Sequence, residues 1–132
     1  MREIEFRGIG RYEGSDKHEW AYGFCEDPFT IHYRGEEYSI NPETICQYIG
    51  LKDDDGVKIF EGDVVSVVPV LGLVFKGVVI FNTHTAAFEI FREELGDTGP
   101  LNDDFSIKVL GNIFDNPELK EKYWKFWDRR YD

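Results

Sequence analysis

Four sets of residues in this chain are of types that could do chemistry, and in each the spacing limits what that chemistry could be. Gly8-Ile9-Gly10 followed by Gly14 has the look of a dinucleotide loop. Its spacing is off by one, however, and no amphipathic helix follows to aim its N-terminus at a pyrophosphate. Asp53-Asp54-Asp55-Gly56 offers the oxygen donors a hard cation prefers, without the alternating ligands and closing glutamate of a calcium loop. Because Asp-Gly tolerates left-handed backbone, the segment is read as a tight turn. His18, His32 and His84 are scattered, with none of the short pairings that mark a local metal site. Cys25 and Cys46 lack C-x-x-C spacing and are read as two buried thiols. No Walker, G-x-S-x-G or H-E-x-x-H motif occurs. The residues therefore nominate no catalytic, metal or cofactor site, and the expectation is a protein that is not an enzyme.

What remains is a surface for a partner. The stretch from Arg92 to Phe105 reads REELGDTGPLNDDF and places Glu93, Glu94, Asp97, Asp103 and Asp104 against one arginine. With 26 acidic and 15 basic residues the net charge is −11, a field that repels phosphate and argues against direct nucleic-acid binding. The basic tail residues Lys120, Lys122, Lys125, Arg129 and Arg130 are interleaved with Glu118, Glu121, Asp128 and Asp132, so they form no basic stripe. Trp124 and Trp127, near the C-terminus, complete the candidate partner surface, since exposed aromatics tend to mark partner sites. The plainer readings are a solvated acidic loop and a helix stripe packed on a core.

These residues are positioned by an expected run of short strands. Alternation predicts strands over Arg2–Arg7, with Ile4 and Phe6 on one face, and over Glu19–Phe24, with Trp20, Tyr22 and Phe24 on one face. Thr30–Ile40 reads as a hairpin turning at Gly35-Glu36, flanked by Arg34 and Glu37 as an opposite-charge pair. Asn41-Pro42-Glu43 suits a helix start, yet Thr44–Ile49 is rich in β-formers and is read as a strand. After turns at residues 53–56 and Glu61-Gly62-Asp63, the runs Val64–Val70, Val74–Phe81 and Ala86–Phe91 form a meander, and Phe105–Leu110 adds a strand. The one helix starts at Asn116-Pro117-Glu118, with Asn116 as N-cap and Leu119, Tyr123 and Phe126 or Trp127 on one face. Short strands joined by tight turns favour a small barrel or sandwich, in a single domain over residues 1–132. No run of about 20 apolar residues occurs, and the charged N-terminus lacks a signal-peptide core. No membrane contact and a cytoplasmic location are expected.

Three ordered blocks resemble the YopX family of phage and prophage proteins: residues 43–53 (ETICQYIGLKD), 56–65 (GVKIFEGDVV) and 110–119 (LGNIFDNPEL), with the opening MREIEFR. The chain departs from the family at Gly8-Ile9-Gly10 and across the acidic segment 92–105. The resemblance implies a mainly β fold of small antiparallel sheets, a partly barrel-like (SH3-like) core, one short C-terminal helix, and encoding by a phage or prophage. It implies no reaction and no cofactor. The expected role is a non-enzymatic accessory protein that acts in the bacterial host cytoplasm by binding another protein or a second copy of itself. The alternative is an acidic mimic of DNA that occupies a DNA-binding host protein. Within the resembling blocks, Gly50, Gly56, Gly62 and Gly111 read as turn positions, and Asp63 as an acceptor for backbone amides.

Overall fold

The structure, a computed structural model, describes residues 3–10, 19–69 and 72–127, with Phe126 through its backbone only. Arg2 of the expected first strand, Met1, Gly14, His18, Val70 and the tail residues Asp128, Arg129, Arg130 and Asp132 lie outside the described residues. The chain divides into two compact units, Met1–Gly50 and Leu51–Asp132.

In the first unit, strand β1 is Phe6–Ile9, so the expected start is too early. Its ladder with β2 (Trp20–Asp27) runs only from Phe6↔Gly23 to Ile9↔Trp20, and Ile4, lacking that support, is 62% exposed. Strands β3 (Thr30–Tyr33) and β4 (Glu36–Ser39) form the expected hairpin. Its turn, however, is Arg34-Gly35, where φ values of 51° and 80° give the two left-handed residues of a type I′ turn. That register sets Glu37 opposite His32, at 3.7 Å, instead of pairing it with Arg34. Residues 41–49 divide, with a helical turn taking Thr44 from the expected strand, which starts at Cys46. Asn41 accepts from the Glu43 amide to start a 3-10 turn over Pro42–Thr44, and β5 (Cys46–Lys52) follows. The Thr44 hydroxyl donates to the Asn41 carbonyl at 2.7 Å and accepts from the Ile9 amide at 2.8 Å, tying turn to strand. The antiparallel order is β4-β3-β2-β1-β5. Ile9, Ile31, Ile40, Cys46, Tyr48 and Ile49 are buried, and Gly8 leaves room for Ile40, whose Cδ1 would lie 2.7 Å from an added Cβ.

The second unit opens on the predicted turn. Asp53 Oδ1 accepts from the amides of Asp55 and Val57, both at 2.9 Å, and Oδ2 from Val109 at 3.1 Å. Burial works against ionisation here, but those three amides outweigh it and hold the carboxyl below the usual range. Such a carboxylate is an internal staple for a turn. After β6 (Lys58–Phe60), the Glu61-Gly62 turn is closed by Asp63, which accepts from the Phe60 amide at 2.9 Å, as its sequence position suggested.

Strands β7 (Asp63–Val68), β8 (Phe75–Asn82) and β9 (Ala87–Arg92) are the expected meander. Val64 and Val65, like Val78, Val79 and Ile80, are buried in succession, so the central strands are covered on both faces. Strand β11 (Ser106–Asn112) completes an antiparallel sheet ordered β10-β9-β8-β7-β11, in which β10 is Asp97–Pro100. Helix α1 (Pro117–Trp127) packs on β8 and β11, and its Tyr123 and Trp127 are 2% and 1% exposed. The side chain of Phe126 lies outside the described residues. Asn116 does not cap α1 with its side chain: Oδ1 turns back to accept from the Asn112 amide at 3.1 Å. Gly111 makes room for it, since an added Cβ would meet that oxygen at 2.5 Å.

The fold is mainly β, with two antiparallel sheets and one short C-terminal helix. The barrel-like core is not found as a closed barrel, because neither strand order among the described residues returns to its first strand. No helix among the described residues is long and apolar enough to cross a membrane.

Candidate functional site

The acidic segment, expected to be a solvated loop, is partly built into the second sheet, through Arg92 and Asp97–Pro100. Arg92 takes Asp97 in a bidentate pair, with Nε and one terminal nitrogen each 2.9 Å from a carboxylate oxygen, and this closes the turn that brings β10 onto β9. Gly99 leaves space for that guanidinium: an added Cβ would lie 2.9 Å from Arg92 Cζ. Gly96 and Pro100, which read as loop residues, supply the left-handed turn position (φ 66°) and an edge-strand end. Glu93 accepts from Lys122 Nζ at 2.5 Å and from the Tyr123 hydroxyl at 2.8 Å. Those two bonds lower its carboxyl below the usual range, while burial and the carboxylate push the Tyr123 hydroxyl up. Glu94 accepts from the Lys76 amide at 3.2 Å. Asp103 and Asp104 are exposed in the turn before β11.

The two tryptophans divide. Trp127 is core, packed edge-on against Phe114 at 5.7 Å, and so drops out of the partner surface. Trp124 is half-buried, with Phe114 at 6.3 Å and Lys120 Nζ over its ring at 4.9 Å. The two thiols also separate: Cys46 is buried as expected, whereas Cys25 is half-exposed, its thiol pushed up by burial and then by the charge of Asp27. His32 lies in β3 and His84 in an exposed turn. Among the described residues, no three His, Cys, Asp or Glu side chains gather where they could hold a metal ion.

The surface that stands out is in the first unit. A cleft of about 390 Å³ is lined by Glu5, Glu19, Trp20, Ala21, Tyr22, Tyr33 and Tyr38. The backbone fixes its wall: the Glu5 carbonyl accepts from the Tyr48 amide at 2.8 Å, and the Glu19 carbonyl from Gly10 at 2.9 Å. Trp20 sits opposite Ile9 on β2, while the hairpin register delivers Tyr33 and Tyr38. The Tyr38 hydroxyl donates to Glu36 at 2.6 Å. Two lining rings carry a guanidinium from the chain itself: Arg7 Cζ lies 4.4 Å from the Trp20 centroid, and Arg34 Cζ 5.2 Å from that of Tyr33. Tyr22, Phe24 and Tyr33 are 43%, 52% and 48% exposed, so the aromatic alternation of β2 marks an outward face. The clue was in the residues between them. Gly23 has no room for a side chain, since a Cβ would meet the His32 carbonyl oxygen at 2.3 Å, and the large rings take the open side.

The described residues thus give a mainly β protein of two compact units, the first carrying a cleft lined by aromatic rings and two glutamates. The chain belongs to the YopX protein family, whose sequence profile matches residues 10–121. No curated protein matches the chain.

Proposed function

We propose that this is a non-enzymatic accessory protein, encoded by a phage or prophage, that works in the bacterial cytoplasm by binding another protein. The observation that carries the reading is the cleft of the first unit, where Trp20, Tyr22, Tyr33 and Tyr38 are gathered at the surface. Tyrosine and tryptophan dominate the energetics of protein interfaces because they bury large area with few rotatable bonds. The phage setting is what the resemblance of residues 43–53, 56–65 and 110–119 implies. The bonds that occupy Glu93, Glu94 and Asp97 count against the alternative of a DNA mimic, which needs its carboxylates arrayed outward along one face.

Crosslinking and affinity capture from phage-infected cells test the reading. The expected result is a specific partner that is lost when Tyr22 and Tyr33 are both replaced by alanine. Background proteins alone, captured by a monodisperse monomer, would overturn it.

A further inference from the structure

We infer that the cleft of the first unit receives an arginine side chain presented by the partner protein; this names the chemistry of the contact and rests on the protein-binding reading. The volume, about 390 Å³, is that of a small-ligand pocket. Its lining joins two kinds of group that favour the same ligand. Tyr and Trp faces attract a cation within about 6 Å of the ring centroid. Glu19, an exposed lining residue, supplies a carboxylate that a guanidinium can engage with paired N–H donors. Arginine fits both because its head is planar, weakly hydrated and forked, whereas an ammonium is a compact point charge.

The chain already shows the preference on two of the same rings. Arg7 stacks on Trp20 and Arg34 on Tyr33, so these surfaces accept guanidinium groups in the folded protein. Arg7 and Arg34 also bring positive charge, but neither lines the cleft. Against them stand the lining Glu5 and Glu19, together with Glu36, held by the Tyr38 hydroxyl. Among these described residues the carboxylates outnumber the guanidinium groups by one, inside a chain whose net charge is −11.

The test is an NMR titration of the full chain with a blocked Gly-Arg-Gly peptide, beside its citrulline, lysine and glutamate analogues. Citrulline keeps the shape of arginine and removes the charge. Arginine is expected to move the Trp20 indole N–H and the tyrosine ring resonances saturably, with citrulline at least about tenfold weaker and lysine in between. Glu19→Gln, at an exposed position, should weaken arginine by about threefold. Arg34→Asn, which suits the left-handed turn, should strengthen it by about twofold, an effect that loss of structure would not produce.

Equal binding of citrulline or glutamate would overturn the assignment, as would flat titrations to about 10 mM in a protein whose spectrum is folded. Capture of one partner by both the wild type and Glu19→Gln, with flat titrations, would remove the arginine contact and leave the protein-binding reading standing. Saturable arginine binding in a chain that captures no partner would do the reverse.

Discussion

The carboxylates of the second unit and those of the first are put to opposite uses. Between residues 92 and 105 the sequence is crowded with acids, and most of them hold the fold: Asp97 locks Arg92, Glu93 clamps Lys122 and Tyr123, and Glu94 takes a backbone amide. In the first unit, among the described residues, Glu5 and Glu19 are the acids that line the cleft, and they stand among four aromatic rings at the surface. The aromatics divide the other way, with Trp127 and Tyr123 sealed in the core and Tyr22, Phe24 and Tyr33 outside. Local density of charge is therefore a poor guide to a site. What each group is bonded to decides.

The largest effect that would break this contrast is on stability. Trp127→Ala should cost about 3–5 kcal/mol in urea denaturation, because it empties a fully buried site. Tyr22→Ala, at an exposed position, should stay within about 1 kcal/mol. Comparable losses would mean that the rings of the first unit are structural. Next comes Gly77→Ala, expected to cost about 3 kcal/mol, since its Cβ would lie 1.8 Å from the Phe91 carbonyl oxygen and force β8 and β9 apart.

The sequence displayed most of this architecture and little of the site. Alternation and turn chemistry place the meander of the second unit within a residue or two, because its valines are buried and its strands are separated by Gly72 and by the polar run Asn82-Thr83-His84. Strand β10 stayed hidden because Gly96, Gly99 and Pro100 read as loop, while the force that orders them, the Arg92–Asp97 pair, is a matter of side-chain geometry. Trp124 and Trp127 look alike in the sequence, and helix phase alone decides which one docks. The cleft was the least legible feature. Its residues come from positions 5, 19–22, 33 and 38, and only strand pairing brings them together.

A middle-sized effect concerns Glu93. Its folded pKa lies below the unfolded value of about 4.3, so the stability it contributes is present above that pH and lost as pH falls through the folded value. Glu93→Gln should cost about 1–2 kcal/mol at pH 7, and the gap from wild type should close below about pH 4. Tyr123 has the opposite sign. Its pKa is raised, so its contribution is intact below about pH 10 and fades above it as the unfolded chain ionises. Tyr123→Phe should remove that alkaline loss. If both variants matched wild type across the range, the clamp between the acidic segment and α1 would carry no weight.

The smallest effect is the sharpest test of how the acidic segment is divided. Asp97→Asn keeps the shape but weakens the bidentate bond to Arg92; with Asp97 54% exposed, solvent screening limits the loss to about 0.5–1 kcal/mol. Asp103→Asn alters an exposed turn residue, and in a chain of net charge −11 the removal of one like charge relieves repulsion. Its stability should therefore be unchanged or higher by up to about 0.5 kcal/mol. The two changes are chemically identical and six positions apart, so their difference isolates the bond to Arg92 from the charge itself. Equal gains from both would show that the segment behaves as a plain acidic surface, and a loss at Asp103 would show that the turn before β11 also depends on its carboxylates.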